Sequence, residues 1–171
     1  MICVKPPVLV LAPAPIRAIA LPLRAVSLCA MLLWAAAAPA QSGPQARLPS
    51  IDLTAGIHLI KTELAITPDQ QATGMMFRRE MGSNDGMLFV NDEPSLRCFW
   101  MRNTLVPLTI AFLADDGTIV NLADMEPQSE RSHCSVQPVR YALEMNRGWF
   151  AKRGFKAGAR LQGKPFRAVA R

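Results

Sequence analysis

The chain has 171 residues, half of them hydrophobic, with 19 Lys and Arg against 13 Asp and Glu. Residues 1–40 carry three of the basic residues and no acidic one, so the remaining 131 residues hold 16 basic and 13 acidic side chains, a net charge of about +3. That length is enough for one domain with one core, and the weak, mixed charge excludes the basic footprint of a nucleic-acid-binding protein.

The first 40 residues have the pattern of a Sec-type signal peptide. Two arginines precede an apolar run at residues 25–38, and Ala38-Pro39-Ala40 is a small-x-small cleavage site. The run is short for a membrane span, although an uncleaved N-terminal anchor stays open as an alternative. We therefore expect a periplasmic or secreted protein with no transmembrane segment after signal removal. Residues 41–50 are predicted to be a linker and residues 51–171 a single domain.

Short strands separated by turns dominate the rest of the chain. The strands are predicted at residues 57–64, 87–90, 97–101, 108–113, 119–125, 140–145 and 159–162. Thr67-Pro68-Asp69-Gln70 has the pattern of a capping box that starts a short helix ending near Gly74, and residues 146–153 are predicted to form a second helix. This pattern favours a mainly β (α+β) fold, either sandwich-like or a partly open barrel of short antiparallel strands with two short helices.

Two cysteines, Cys98 and Cys134, follow the predicted signal peptide. An exported protein meets an oxidising compartment, so we predict a Cys98–Cys134 disulfide, with two free thiols or a soft metal site as alternatives. His133 and Cys134 alone are too few ligands for a structural zinc site. The seven methionines of the domain lack a Met-x-Met cluster typical of copper sites. We therefore expect no metal and no cofactor.

The segment from Phe99 to Leu108, with the sequence FWMRNTLVPL, is the most informative part of the chain. It is continued by IAFL at residues 110–113, and a second segment, Met75-Met76-Phe77-Arg78, follows Gly74. Together they resemble the signature of domain-of-unknown-function family 192, over about residues 57–163. The resemblance implies a mainly β, sandwich-like fold. It implies no activity, because none is settled for that family.

Within this signature segment, four polar or aromatic side chains are candidates for binding a ligand. On a strand, Trp100 and Arg102 share one face, and an aromatic platform beside a planar cation suits a sugar, an anionic glycan or a carboxylate-bearing ligand. Asn103 and Thr104 are candidates as well. Their alternative role is structural, because both residue types stabilise turns.

Three further candidates are Glu126, Glu144 and Asn146. The two glutamates lie at the polar ends of predicted strands, where we expect either of them to meet Arg102. Glu144 and Asn146 also match a Glu-x-Asn pattern of the family. Two carboxylates near a tryptophan raise the possibility of an acid/base pair, as in glycoside hydrolysis.

The sequence therefore predicts a small binding module of the cell envelope without catalytic activity. Its partner is expected to be an envelope glycan, a small molecule or a protein. The alternatives are a hydrolase acting on an envelope carbohydrate, with Glu126 and Glu144 as acid and base, and a purely structural module. The sequence contains no Gly-rich phosphate loop, nucleophile elbow or zinc-protease motif.

Overall fold

The computed structural model describes residues 43–166, so the predicted signal peptide lies outside the described residues. Within that range the chain forms nine β-strands and one α-helix. These are β1 (Ser50–Ala55), β2 (His58–Ala65), α1 (Pro68–Thr73), β3 (Asp85–Ser95), β4 (Cys98–Phe99), β5 (Leu108–Leu113), β6 (Ile119–Met125), β7 (His133–Cys134), β8 (Val139–Asn146) and β9 (Leu161–Gln162). Among residues 43–166, no helix has the length and hydropathy needed to cross a bilayer.

Seven of the strands form one curled sheet in the order β6-β5-β8-β3-β2-β1-β9. Its two ends touch, because Thr118 pairs with Arg160 and the Leu161 amide donates to the Gly117 carbonyl at 2.9 Å. The mainly β prediction is confirmed, and the large sheet is a curled half-barrel. β4 and β7 form a separate two-stranded ribbon, which the Cys98–Cys134 disulfide links, as predicted.

Two predicted details are wrong. Strands β2 and β3 pair in parallel, whereas all strands were expected to be antiparallel. The cause is α1, which with the segment after it carries the chain back to the same end of the sheet. The predicted second helix is a turn followed by one 3-10 turn at Ala151–Arg153. Gly148, in the middle of that segment, has φ of 75°, outside the region that a helix allows.

Each face of the curled sheet carries a hydrophobic cluster. The inner cluster draws on all seven strands and fills the curl: Leu53, Ala55, Ile60, Leu88, Ala111, Leu113, Ile119, Tyr141, Leu143, Met145, Trp149, Phe150 and Leu161. The outer cluster lies on the opposite face: Ala65, Met75, Met87, Phe89, Met101, Val106, Leu108, Ile110, Phe112, Met125, Val139 and Ala142. Because side chains alternate along a strand, Glu144 lies on the outer face together with Ala142.

A buried ion pair fixes the segment that follows α1 to the sheet. Arg78 donates two hydrogen bonds to the Glu63 carboxylate, at 2.5 and 2.7 Å. The Leu48 amide and the Arg47 guanidinium donate to the same carboxylate at 2.9 and 2.7 Å. Burial on its own would raise the pKa of Glu63, but the hydrogen bonds from Arg78 and from the Leu48 amide lower it to about 2. Glu63 is therefore ionised, and its charge holds residues 75–78 in place.

The capping box at the start of α1 forms as predicted. The backbone N–H of Gln70 donates to the Thr67 hydroxyl at 3.3 Å, and the backbone N–H of Thr67 donates to the Gln70 side-chain oxygen at 3.0 Å. We expect Thr67→Ala to lower the free energy of unfolding by about 1 kcal/mol, measured by urea titration, because the backbone N–H of Gln70 loses its acceptor. Ser50→Ala, on an exposed strand position, is the control. An equally small loss in both variants would show that the cap does not stabilise the protein.

Candidate functional site

A pocket of about 370 Å³ opens on the outer face of the sheet. One wall is α1 with the residues that follow it, up to Met76. The other wall is the β4 segment from Arg97 to Trp100, together with Thr104. The sheet between these walls contributes Phe89, Asn91 and Glu144. The volume falls within the range of small-molecule sites, about 300–1,000 Å³.

Among residues 43–166, Glu144 is the only carboxyl group in the lining of this pocket. On β8 it lies between Met87 of β3 and Ile110 of β5, two members of the outer cluster. Only 4% of the residue is exposed. Nothing within residues 43–166 gives its carboxyl a hydrogen bond or an ion pair. Burial raises the pKa of Glu144 to about 8, so the carboxyl is mostly protonated at neutral pH.

The contrast with Glu63 shows how unusual Glu144 is. Both are buried, with 7% and 4% of the residue exposed. Glu63 accepts hydrogen bonds from two arginines and a backbone amide, which is how proteins normally bury a carboxylate. Glu144 faces a pocket instead. A buried polar group with an open pocket beside it has room for a partner that the protein does not supply.

Trp100 lines the pocket and keeps 49% of its surface exposed. Arg102 extends beside it, with its guanidinium carbon 6.0 Å from the centre of the indole ring. The expectation that Arg102 pairs with Glu126 or Glu144 is wrong. The carboxylate beside Arg102 is that of Glu130, with 3.9 Å between Arg102 Nε and Glu130 Oε1. Both of these side chains are largely exposed. Arg102 lies outside the lining of the pocket, and its side chain is 57% exposed.

The residues after Trp100 form a tight turn that joins three parts of the chain. Asn103 has φ of 58°, a left-handed conformation that asparagine tolerates better than most residues. Its carbonyl accepts from the Phe77 amide at 2.8 Å, and the Thr104 carbonyl accepts from the Gln128 amide at 3.0 Å. Met101, which precedes this turn, is fully buried in the outer cluster. Asn103 and Thr104 therefore hold a turn, which is the structural role that the sequence left open, and Thr104 also lines the pocket.

The other two candidates lie elsewhere. Glu126 accepts a hydrogen bond from Arg147 at 2.5 Å, and its side chain is 65% exposed. The Asn146 amide donates to the Gly82 carbonyl at 2.8 Å and so holds the turn before β3. Three of the seven predicted ligand-binding residues line the pocket, namely Trp100, Thr104 and Glu144.

Sequence reasoning missed the polar side chains on the two walls. Gln71 donates to the Val90 carbonyl at 2.7 Å, and Asn91 donates to the Arg140 carbonyl at 2.9 Å. Arg97 donates to the Glu93 carbonyl at 3.1 Å. These three side chains hold the backbone around the pocket. No motif signals them, because each contact depends on how α1, β3 and β4 meet in space.

Comparison with known proteins agrees with this fold. The profile of domain-of-unknown-function family 192, described as "Uncharacterized ACR", matches residues 51–163. A protein of unknown function from Novosphingobium aromaticivorans DSM 12444 is 38% identical, with a TM-score of 0.66 over 75% of this chain and 94% of that one. A protein from Sinorhizobium meliloti 1021, provisionally called a transcription regulator, is 36% identical, with a TM-score of 0.65 over 70% of this chain and 97% of that one. No curated protein matches the chain. The family profile covers well over half of the sequence, and the chain belongs to domain-of-unknown-function family 192.

Proposed function

We propose that this protein is a non-catalytic binding protein of the cell envelope that holds a small ligand in the pocket beside Trp100. The observation that carries the proposal is Glu144, a buried carboxyl that no described residue satisfies and that faces a pocket of ligand size. Leaving such a group without a partner is costly, and a bound ligand that supplies the partner recovers that cost. The half-exposed indole of Trp100 adds a flat apolar surface to the same pocket.

The envelope location rests on the predicted signal peptide and on the disulfide. Disulfides persist in oxidising compartments such as the periplasm and are rare in the cytosol. The Cys98–Cys134 bond links the ribbon that forms one wall of the pocket. A disulfide in the wall of the binding site therefore supports a location outside the cytoplasm.

Binding is better supported than hydrolysis. A glycosidase of the usual kind needs two carboxyl groups about 5–10 Å apart on either side of the scissile bond. In the lining of this pocket Glu144 is the single carboxyl, while Glu126 is held by Arg147 outside it. One carboxyl group, that of Glu144, is enough to bind a ligand, but it does not provide the acid and base pair that glycoside hydrolysis needs.

The first test is native mass spectrometry of the full chain, expressed with its N-terminal segment and recovered separately from the periplasmic and cytoplasmic fractions. We expect a protein that begins at Gln41, is two daltons lighter than its reduced form and carries an additional retained mass. A cytoplasmic protein of full length would contradict the envelope location. A ligand-free mass would count against a tightly held ligand.

Trp100→Ala is expected to weaken retention of that ligand about ten-fold, because the aromatic wall of the pocket is lost. The folded protein should survive, since Trp100 is half exposed. Leu105→Ala is the matched control, because Leu105 is 40% exposed in the same segment but does not line the pocket. A large drop in melting temperature for Trp100→Ala, with retention unchanged, would instead assign the signature a structural role.

A further inference from the structure

We propose that the ligand of this pocket is a primary organic ammonium, the cation of a small monoamine with an apolar tail, whose N–H groups donate to the Glu144 carboxylate. The inference rests on the proposed function and names the class of ligand that the same pocket would take.

The first argument is that the Glu144 carboxyl lacks a hydrogen-bond donor and an opposite charge beside it. Its carboxyl lies between Met87 and Ile110, where neither neighbour offers a donor or an acceptor. An ionised carboxylate can accept hydrogen bonds but cannot donate them. A hydrogen bond between two charged groups is about twice as strong as one between neutral groups. An ammonium supplies both the donors and the opposite charge, so it compensates this site more completely than a neutral hydroxyl does.

The second argument is that the side-chain amides of the walls already donate to the backbone. Gln71 and Asn91 each donate to a backbone carbonyl. A terminal nitrogen of Arg97 donates to the Glu93 carbonyl, whereas its Nε has no hydrogen-bond partner among residues 43–166. A sugar has many hydroxyl groups and needs several such side chains for recognition. A ligand with one polar end needs only Glu144.

The third argument is the apolar character of the remaining lining. Phe89, Phe99 and Trp100 supply aromatic surface, and Met75 and Met76 supply thioether groups. Aromatic faces attract organic cations, and methionine adapts to apolar groups of varied shape. The lining therefore suits both the cationic end and the apolar tail of an amine.

Arg97, on the β4 wall, disfavours a ligand with more than one positive charge. Its side chain lines the pocket and donates to the Glu93 carbonyl. A second cation in the ligand would add to the repulsion from this guanidinium, because like charges repel. A monoamine is therefore favoured over a diamine.

The test compares benzylamine with benzyl alcohol, which has nearly the same shape without the charge, by isothermal calorimetry on the signal-processed protein. We expect benzylamine to bind at least about ten-fold more tightly than benzyl alcohol. The Glu144 carboxyl is mostly protonated before binding, so pairing with an ammonium releases its proton to the buffer. The measured heat should then depend on the ionisation enthalpy of the buffer, and the affinity should rise between about pH 6 and pH 8.

Glu144→Gln should abolish the preference for benzylamine, whereas Glu126→Gln, the control outside the pocket, should keep it. Equal binding of the two probes, no proton release, or an unchanged preference in Glu144→Gln would overturn the amine inference while leaving small-molecule binding intact. Failure of both probes to bind would also overturn it, and the retained mass in native spectra would then decide the proposed function separately.

Discussion

Glu144→Gln is expected to raise the free energy of unfolding at pH 7, by an amount on the order of 3 kcal/mol. The folded protein holds this carboxyl in its protonated form, because burial raises the pKa of Glu144 to about 8. The unfolded chain exposes it to water, where its pKa returns to its ordinary value of 4.5. Each pH unit between these two values lowers stability by about 1.4 kcal/mol. Glutamine has nearly the same shape and no ionisation, so it removes that penalty.

The sign of the effect sets its pH window. The folded state binds one proton more than the unfolded state above pH 4.5, so stability falls as the pH rises from there towards 8. Urea unfolding of the wild type and Glu144→Gln should therefore give similar stabilities near pH 4.5 and diverge up to pH 8. Glu126→Gln, at an exposed ion pair, should follow the wild type throughout. A variant less stable than the wild type at pH 7 would mean that Glu144 is charged and paired.

Glu63 acts in the opposite direction at lower pH. The pKa of Glu63 in the folded state is about 2, below its ordinary value of 4.5, because hydrogen bonds from Arg78 and from the Leu48 amide outweigh burial. Its stabilising contribution is complete above pH 4.5 and is lost as the pH falls towards 2. The combined contribution of these two glutamates to stability is therefore greatest near pH 4.5. Glu144→Gln should extend that maximum towards neutral pH.

A residue that lowers stability at neutral pH needs a reason to be there. The cost of burying Glu63 is offset by its hydrogen bonds with Arg78, which fix the segment after α1. The Glu144 carboxyl makes no hydrogen bond with any described residue. Sites that bind ligands often depart from the most stable sequence, because the groups that recognise the ligand are unsatisfied without it. The expected stability gain and the expected loss of amine preference in Glu144→Gln are two consequences of the same unsatisfied carboxyl.

Local signals in the sequence predict much of the fold but little of the pocket. The capping box at Thr67 acts within a few residues, and it forms where expected. The parallel pairing of β2 and β3 depends on how the chain returns after α1, which no local pattern encodes. The sequence pattern predicts that Glu144 lies at the polar end of a strand. However, the residues from Tyr141 to Met145 are buried on both faces, because β8 is a central strand.

The three candidates that meet in the pocket come from one turn and one distant strand. Trp100 and Thr104 are four residues apart, so their proximity follows from the turn that Asn103 makes possible. Their proximity to Glu144 depends on the packing of the β4 segment against the outer face of the sheet. Glu126 and Asn146 were chosen on sequence patterns of the same quality, yet ion pairing and turn formation occupy them elsewhere. Side-chain chemistry can be read from the sequence, but which of these groups share a pocket depends on the tertiary structure.

Removal of the disulfide is the second change from which we expect a large effect. The double variant Cys98→Ser/Cys134→Ser should lose about 3–4 kcal/mol in free energy of unfolding. The bond closes a loop across a sequence separation of 36 residues, and opening that loop restores conformational entropy to the unfolded chain. Urea unfolding with and without a reductant measures the effect. The reductant should destabilise the wild type and leave the double variant unchanged.

The same change tests how the wall of the pocket is held. The ribbon consists of two residue pairs, Cys98 with Cys134 and Phe99 with His133, so few backbone hydrogen bonds support it. Further contacts come from the Ser135 amide to the Arg97 carbonyl at 2.8 Å and from the Met101 amide to the Ser129 carbonyl at 2.8 Å. If the disulfide stabilises mainly through the unfolded chain, the double variant should still bind ligand under conditions where it is folded. Loss of binding by the folded double variant would instead mean that the disulfide positions Trp100 and Phe99 directly. The two backbone hydrogen bonds beside the ribbon would then be too weak to hold this wall of the pocket on their own.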